Sequence, residues 1–459
     1  MKKVIALSLI LVIAATSIFA NGSKEAETAT TGNKTVVEIW TNDRHDAEYM
    51  SKVVEDFNAT NDKIEIKLTT IVDDYPNMLV MSYTSGNAPD LFYMNARGTG
   101  FDLKTFVDAK MLEPYPQSLL SDPEFEKVTD ASKHIVEGVN AIDGVPYGIF
   151  NVVRSGTRMI YNADLLEASG YTEFPKTLSE LVDLTVKISQ DGKGNYYGIS
   201  TCASAQFERW LEGIINKSGI YHYDYKNGVF NFDGYKEPIK IAQRFFKEGA
   251  MFPGSNSQGV DAMRAQFANG TFAVWGNASQ EAGVFTDQFP ISDFEWKVAE
   301  LPSLTGETKG TVDSRPQKGL FMFSSSKNKD AAWEVVKYMN SEAVVKGYVE
   351  KGYALPLSEY IMSVVDTSKM GRLADFAPVD YEGLYPSVPA VSVAGDDYAK
   401  AIWNCIVNGT DVDKCIADLN KRYNEALEKD VKLGKVKRVV IENFDALAPN
   451  ANPITYLSK

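Results

Sequence analysis

Cysteine is scarce, with only Cys202, Cys405 and Cys415 in 459 residues, which excludes the disulfide-dense architecture of small secreted domains. Histidine is as rare: His45, His134 and His222 are far apart in sequence and no H-E-x-x-H or Cys-x-x-Cys pattern occurs, so a zinc site has no support. There is no G-x-S-x-G elbow and no G-x-x-x-x-G-K-[ST] loop. Clustered Lys and Arg are missing too, and a formal charge of −14 disfavours nucleic acid, whose binding depends on basic patches that release counterions. Past the N-terminus no segment is long and apolar enough for a membrane span. Internal repeats, coiled-coil heptads and low-complexity tracts are absent. Acidic pairs such as Asp73-Asp74 and Asp396-Asp397 are poor glycosidase carboxylates, because chain neighbours seldom face each other across a scissile bond. Neither catalysis, nor a metal, nor a cofactor is expected.

What the chain does have is ordinary globular material, 44% hydrophobic and 24% charged, enough for two or three domains. Residues 1–20 (MKKVIALSLILVIAATSIFA) join two lysines, an apolar run from Val4 to Ile13 and a small-residue stop at Ala20, the pattern of a cleaved export signal. Residues 21–34 are small and polar without periodicity and read as a flexible leader. A lipid-anchored exported protein would carry Cys at the cleavage site; Asn21 stands there, so release into the periplasm is expected. In that oxidising compartment Cys405 and Cys415, which flank the turn VNGTDVD between two helical patterns, are open to two readings: a disulfide across the hairpin, or two small core hydrophobes. Cys202 reads as buried.

The elements alternate as in an α/β protein. Strand Val36–Trp40 leads to a helix with Met50, Val53, Val54 and Phe57 on one face, and KIEIKL alternates as a second strand. A helix over 75–85, a turn at GNAPD and the strand LFYM follow, and two βα units in succession imply a parallel sheet. Further helices are expected at Leu178–Ser189, Phe207–Asn216, Tyr235–Glu248, Asp330–Met339 and Val412–Leu427.

Several stretches, in order and spread over nearly the whole mature chain, resemble the extracellular solute-binding proteins of ABC importers, in the sugar-binding branch that includes maltose-binding protein. They are SGNAPDLFYM (85–94), IDGVPYGI (142–149), RMIYNADLLEASGYTEFPKTLSELVDLTVKIS (158–189), FANGTFAVWGNAS (267–279), VAELPSLTG (298–306) and SSKNKDAAWEVVKYMNSEAVVKGYVEKGYALP (325–356). The resemblance implies a periplasmic-binding-protein-like fold of type II: two lobes, each with a central, mostly parallel sheet flanked by helices, joined by crossover hinge strands. On that basis 35–150 and 298–350 form the N-terminal lobe, and 151–297 and 351–459 the C-terminal lobe. The first crossover is expected at Pro146–Arg158, the second at Val298–Pro302, with a return near 345–355. The implied partners are a small carbohydrate and the permease of an ABC transporter, with the carrier monomeric and no bond made or broken.

In open α/β sheets ligands bind beyond the carboxyl ends of strands. That rule selects Asn42, Asp43 and Arg44 after the first strand, a set of donors and acceptors suited to sugar hydroxyls; the competing reading is a solvated loop with Asp46 as a helix cap. Asn95 and Arg97 follow LFYM in the same way, and the resemblance adds Arg154 and Ser155 at the cleft floor. Sugar rings present apolar faces, so Phe207, Trp210 and Trp275 are candidate platforms, with Asn277 beside the last and Gly276 allowing close backbone approach. Phe207 and Trp210 also read as a core helical stripe. Asn277-Ala278-Ser279 and Asp396-Asp397 stand where maltose-type relatives commonly have aromatics. A more polar cleft and a different sugar follow, with Asp396 and Asp397 alternatively complementing a helix dipole. The rival functions are a periplasmic carbohydrate-active enzyme and a binder of a polyamine, metal chelate or peptide.

Overall fold

The computed structural model describes residues 34–44, 46–95, 101–154, 157–203, 207–384 and 386–458. The export signal, the leader up to residue 33, Arg97 and Ser155 lie outside the described residues. No described helix is long and apolar enough to cross a membrane.

Strand β1 (Thr35–Thr41) buries Val37 and Ile39 completely, and α1 (Ala47–Thr60) lays Met50, Val53, Val54 and Phe57 on the sheet. β2 (Ile64–Thr70) pairs with β1 in parallel along its whole length. Its register is held from outside the ladder by Asn58, whose Nδ2 donates to the Ile66 carbonyl at 2.9 Å while its Oδ1 accepts the Ile66 N–H at 2.7 Å. Helix α2 (Tyr75–Thr84) sends its Tyr75 hydroxyl back to the carbonyls of Trp40 and Tyr93, and β3 (Leu91–Met94) runs parallel to β1 on its other side with all four residues buried. A strand buried on both faces has no polar alternation, which is why LFYM reads as a continuous apolar run.

The chain then supplies β4 (Gly148–Ile149), β5 (Val152–Arg154) and β6 (Arg158–Asn162) in quick succession, each to a different sheet. Helix α3 (Leu178–Gly192) starts in a reciprocal box: Thr177 Oγ1 accepts the Glu180 N–H while Glu180 accepts the Thr177 N–H. After β7 (Tyr197–Ile199), the expected Phe207–Asn216 helix forms as a π-helical turn, Phe207–Leu211, continued by α4 (Glu212–Lys217). Next come α5 (Lys236–Lys247), β8 (Phe272–Asn277), β9 (Trp296–Ala299), β10 (Arg315–Gln317) and β11 (Gly319–Met322). The chain closes with α6 (Lys329–Met339), α7 (Glu342–Glu350), β12 (Leu355–Pro356), α8 (Tyr398–Asn408) and α9 (Val412–Lys432), followed by a short C-terminal hairpin.

Two lobes result. The first is built on the sheet β2-β1-β3-β11-β4 and the second on β9-β6-β8-β7. Both are mixed: β2-β1-β3 is the parallel βα run expected, but β11 is antiparallel to β3 and β4, and β6 is antiparallel to β8 and β9. The reversals arise where the chain arrives by crossing between sheets and not through a βα unit. Between the lobes lies a three-stranded antiparallel sheet, β10-β5-β12. Val298, expected in the second crossover, pairs with Ile160 inside the second sheet, and the chain returns to the first sheet later, through β10 into β11. β12 pairs with β5 close to the expected return.

Candidate ligand site

The end of β1 is shaped by a buried charge cluster. Asp46 is 1% exposed and precedes α1, yet its side chain makes no capping hydrogen bond. One of its oxygens lies 2.5 Å from Lys318 Nζ and accepts the Tyr348 hydroxyl at 2.9 Å, while Lys318 also stands 3.1 Å from an Asp43 oxygen. The reading of Asp46 as a helix cap is thus corrected: a carboxylate removed from water is held more strongly by a cation than by a backbone N–H. Lys318 joins β10 to β11 with a left-handed φ of 59°, its N–H donates to Asn95 Oδ1 at 3.1 Å, and its ammonium lies 4.7 Å from the Tyr93 ring centroid. Burial, then the Asp46 and Asp43 charges, push the Tyr348 hydroxyl well above its ordinary pKa and keep it a donor.

Of the residues singled out after β1, Asp43 is therefore committed to an ion pair, Asn42 is half-buried and Arg44 exposed. Asn95 uses its oxygen on the Lys318 backbone and so supports the first lobe's edge.

On the second lobe, the carboxyl end of β8 borders a cavity of about 220 Å³ whose lining includes Arg154, Ser200, Thr201, Trp275, Asn277 and Gln280. The wall is a chain of amides and ions. Asn277 Nδ2 donates to Glu281 at 2.9 Å, and Asn277 Oδ1 accepts from the Ala278 N–H at 2.9 Å and Gln280 Nε2 at 2.8 Å. Glu281, fully buried, receives both Nε (3.0 Å) and Nη2 (2.7 Å) of Arg264, a bidentate pair that neutralises both groups. Desolvation opposes the charge of Arg264, but Glu281 and Asp261 outweigh it and raise the guanidinium's pKa. Two buried polar atoms of lining residues, Trp275 Nε1 and Gln280 Oε1, have no hydrogen-bond partner among the described residues. Arg154 reaches the cavity from β5, the strand between the lobes.

The structure thus brings Arg154, Trp275 and Asn277 around one cavity, but the Trp275 ring is buried against Phe267 and Phe285 and offers no open platform. Two other aromatic candidates are corrected. Phe207 and Trp210 are buried in the second lobe, Phe207 against Tyr235 and Tyr398 and Trp210 against Phe245, so they are the core stripe and not platforms. Gly276 lines the same cavity, and a Cβ there would lie 2.2 Å from Trp210 Cβ, so the missing side chain also makes room for a core tryptophan. Asp397 caps α8 by accepting the Lys400 N–H at 2.8 Å, and Asp396 pairs with the Lys400 ammonium at 2.8 Å. Both act as helix-start acids.

Residues not foreseen are Lys318, Tyr348, Ser200, Thr201, Arg264 and Gln280. Lys318 had a signal, a single cation in front of the wholly apolar GLFMF, which a buried partner would explain. Among the described residues, no three His, Cys, Asp or Glu side chains converge as a metal would require.

The model of the bacterial extracellular solute-binding protein family matches residues 42–346. The maltotriose-binding protein of Pyrococcus abyssi is 25% identical over 331 residues, 71% of this chain and 67% of its own length. Among solved structures, the sugar-binding protein MalE from Xanthomonas citri aligns with a TM-score of 0.66 at 19% identity, over 87% of this chain and 99% of that one. The cyclic alpha-maltosyl-1,6-maltose binding protein from Arthrobacter globiformis aligns with a TM-score of 0.64 at 17% identity, over 86% and 100% of the two chains.

Proposed function

We propose, from the premise that the chain belongs to the bacterial extracellular solute-binding protein family, that it captures a sugar or short oligosaccharide between its lobes and delivers it to an ABC permease. The observation that carries this reading is the 220 Å³ cavity, with Trp275 in its wall and neutral amides and hydroxyls around it. Such a mixture suits a polyol, each of whose hydroxyls both gives and takes a hydrogen bond. Charge supports a neutral guest: Lys318 is matched by Asp43 and Asp46, and Arg264 by Glu281. A polyamine would need unspent carboxylates, and a glycosidase a pair of them across the cleft, but Asp43 and Asp46 are occupied by Lys318.

The carrier works without making or breaking a bond. Ligand held by one lobe stabilises the closed state through contacts that only the other lobe can add, and β5, β10 and β12 supply the hinge. It is exported by a cleaved signal, released into the periplasm and acts as a monomer, the liganded closed form being what the permease receives.

A thermal-shift screen over mono- and oligosaccharides, with polyamines and peptides alongside, is expected to raise the melting temperature with one saccharide class. Stabilisation at a hundredfold excess over Kd amounts to about 2.7 kcal/mol. Small-angle scattering should report a smaller radius of gyration with the same compound. A response to polyamines or peptides alone, or consumption of the saccharide, would sink the proposal.

Arg154→Ala is expected to weaken saccharide binding about tenfold, the loss of one hydrogen bond from a charged group, while leaving the melting temperature of the unliganded protein within a degree or so. Calorimetric titration measures the first and unfolding the second. Unchanged affinity would remove this cavity from the binding site.

A further inference from the structure

The α8–α9 hairpin carries a cysteine on either side of its turn. Cys405 is buried in the last turn of α8, and Cys415, half-exposed, is in the first turn of α9. The link between them is fixed at both ends: Gly409 takes a left-handed φ of 61° after α8, and Asp411 caps α9 by accepting the Lys414 N–H at 3.1 Å. Gln243 of α5 pins the turn from the side, donating to the carbonyls of Cys405 at 3.1 Å and Thr410 at 2.9 Å. Cys415 Sγ lies 3.9 Å from the carbonyl of Ala401, the residue one helical turn before Cys405, and Cys405 Sγ lies 3.6 Å from the carbonyl of Thr410. Cys415 thus sits against α8 one turn from Cys405, while Cys405 faces the link that leads into α9.

We propose that Cys405 and Cys415 are joined by a disulfide in the exported protein, a covalent staple across the α8–α9 hairpin. The oxidant is the disulfide of a thiol-disulfide exchange partner of the kind that keeps an export compartment oxidising. Cys415, the more exposed sulfur, loses its proton to solvent and attacks it, forming a mixed disulfide and releasing one partner thiolate. Cys405 then loses its proton and attacks Cys415 Sγ, forming the internal S–S bond and releasing the second. Two cysteine thiols are oxidised, one disulfide is reduced to two thiols, and the protons pass to solvent. Cys202 lies in the lining of the ligand cavity on another part of the lobe and stays a thiol.

The test is a thiol count on full-length mature protein exported into an oxidising compartment. After denaturation without reductant, one reactive thiol per chain is expected, rising to three with reductant, and peptide mapping should recover Cys405 linked to Cys415. Reduction should lower the melting temperature by a few degrees in the wild type and not in Cys415→Ser. Saccharide affinity, set at the other site, should be the same in both. Three thiols before reduction, in protein equilibrated with oxidised glutathione, would overturn the proposal, as would a cross-link involving Cys202.

Discussion

Replacing Lys318 by methionine lowers the free energy of unfolding by about 3–5 kcal/mol, the cost of leaving a buried carboxylate without its cation. Methionine keeps the length and most of the volume of the side chain, so packing around Tyr93 and Tyr348 is nearly preserved and the loss reports on charge. Lys318 is 4% exposed and Asp46 1%, which separates this cluster from the many surface pairs whose removal costs little. Adding Asp46→Asn to Lys318→Met should restore much of the stability, because the amide needs no cation and can still accept from Tyr348. Chemical denaturation of the single and double variants measures both effects. A loss below about 1 kcal/mol for the single variant would mean that water reaches the cluster and screens it as at a surface.

Gly276→Ala is the second large effect, an expected loss of about 3 kcal/mol, at the upper end for overpacking one carbon into a filled core. The added Cβ would fall 2.2 Å from Trp210 Cβ and 2.7 Å from its Cγ, and atoms near the backbone of a fully buried tryptophan cannot swing aside. Relief requires the end of β8 to move, which carries Trp275 and Asn277 with it, so saccharide affinity should fall alongside stability. Thermal melts and titration of the same variant test the pair of effects. Full stability with normal affinity would show that the π-helical turn bearing Trp210 shifts freely.

How far the molecule could be read from its residues depends on the range of the interaction concerned. Ile64, Ile66 and Leu68 alternate, and Met50, Val53, Val54 and Phe57 repeat at helical spacing, because each pattern answers to one flat neighbour; the first βα units were legible for that reason. The mixed pairing of the sheets was not, since β11 meets β3 across more than two hundred residues and nothing local records the direction. The same contrast holds at the site. Trp275 and Asn277 are visible from the strand end that carries them. Asp43 looked like a ligand group because its counter-ion lies far along the chain, and Phe207 and Trp210 are as aromatic in a core as they would be under a sugar ring. Asp397 sat in the cap position of a helix, and there the local reading was the right one.

The Lys318 clasp has a consequence for how such a carrier acquires a new cargo. It locks the strand-end loop of the first lobe to the segment that leaves the hinge, so substitutions at Asp43 or Asp46 disturb folding before they alter selectivity. Across the cleft, Ser200, Thr201 and Gln280 are rooted in their own lobe and do not share in that clasp. Divergence of specificity should therefore accumulate on the second face while the first stays nearly invariant.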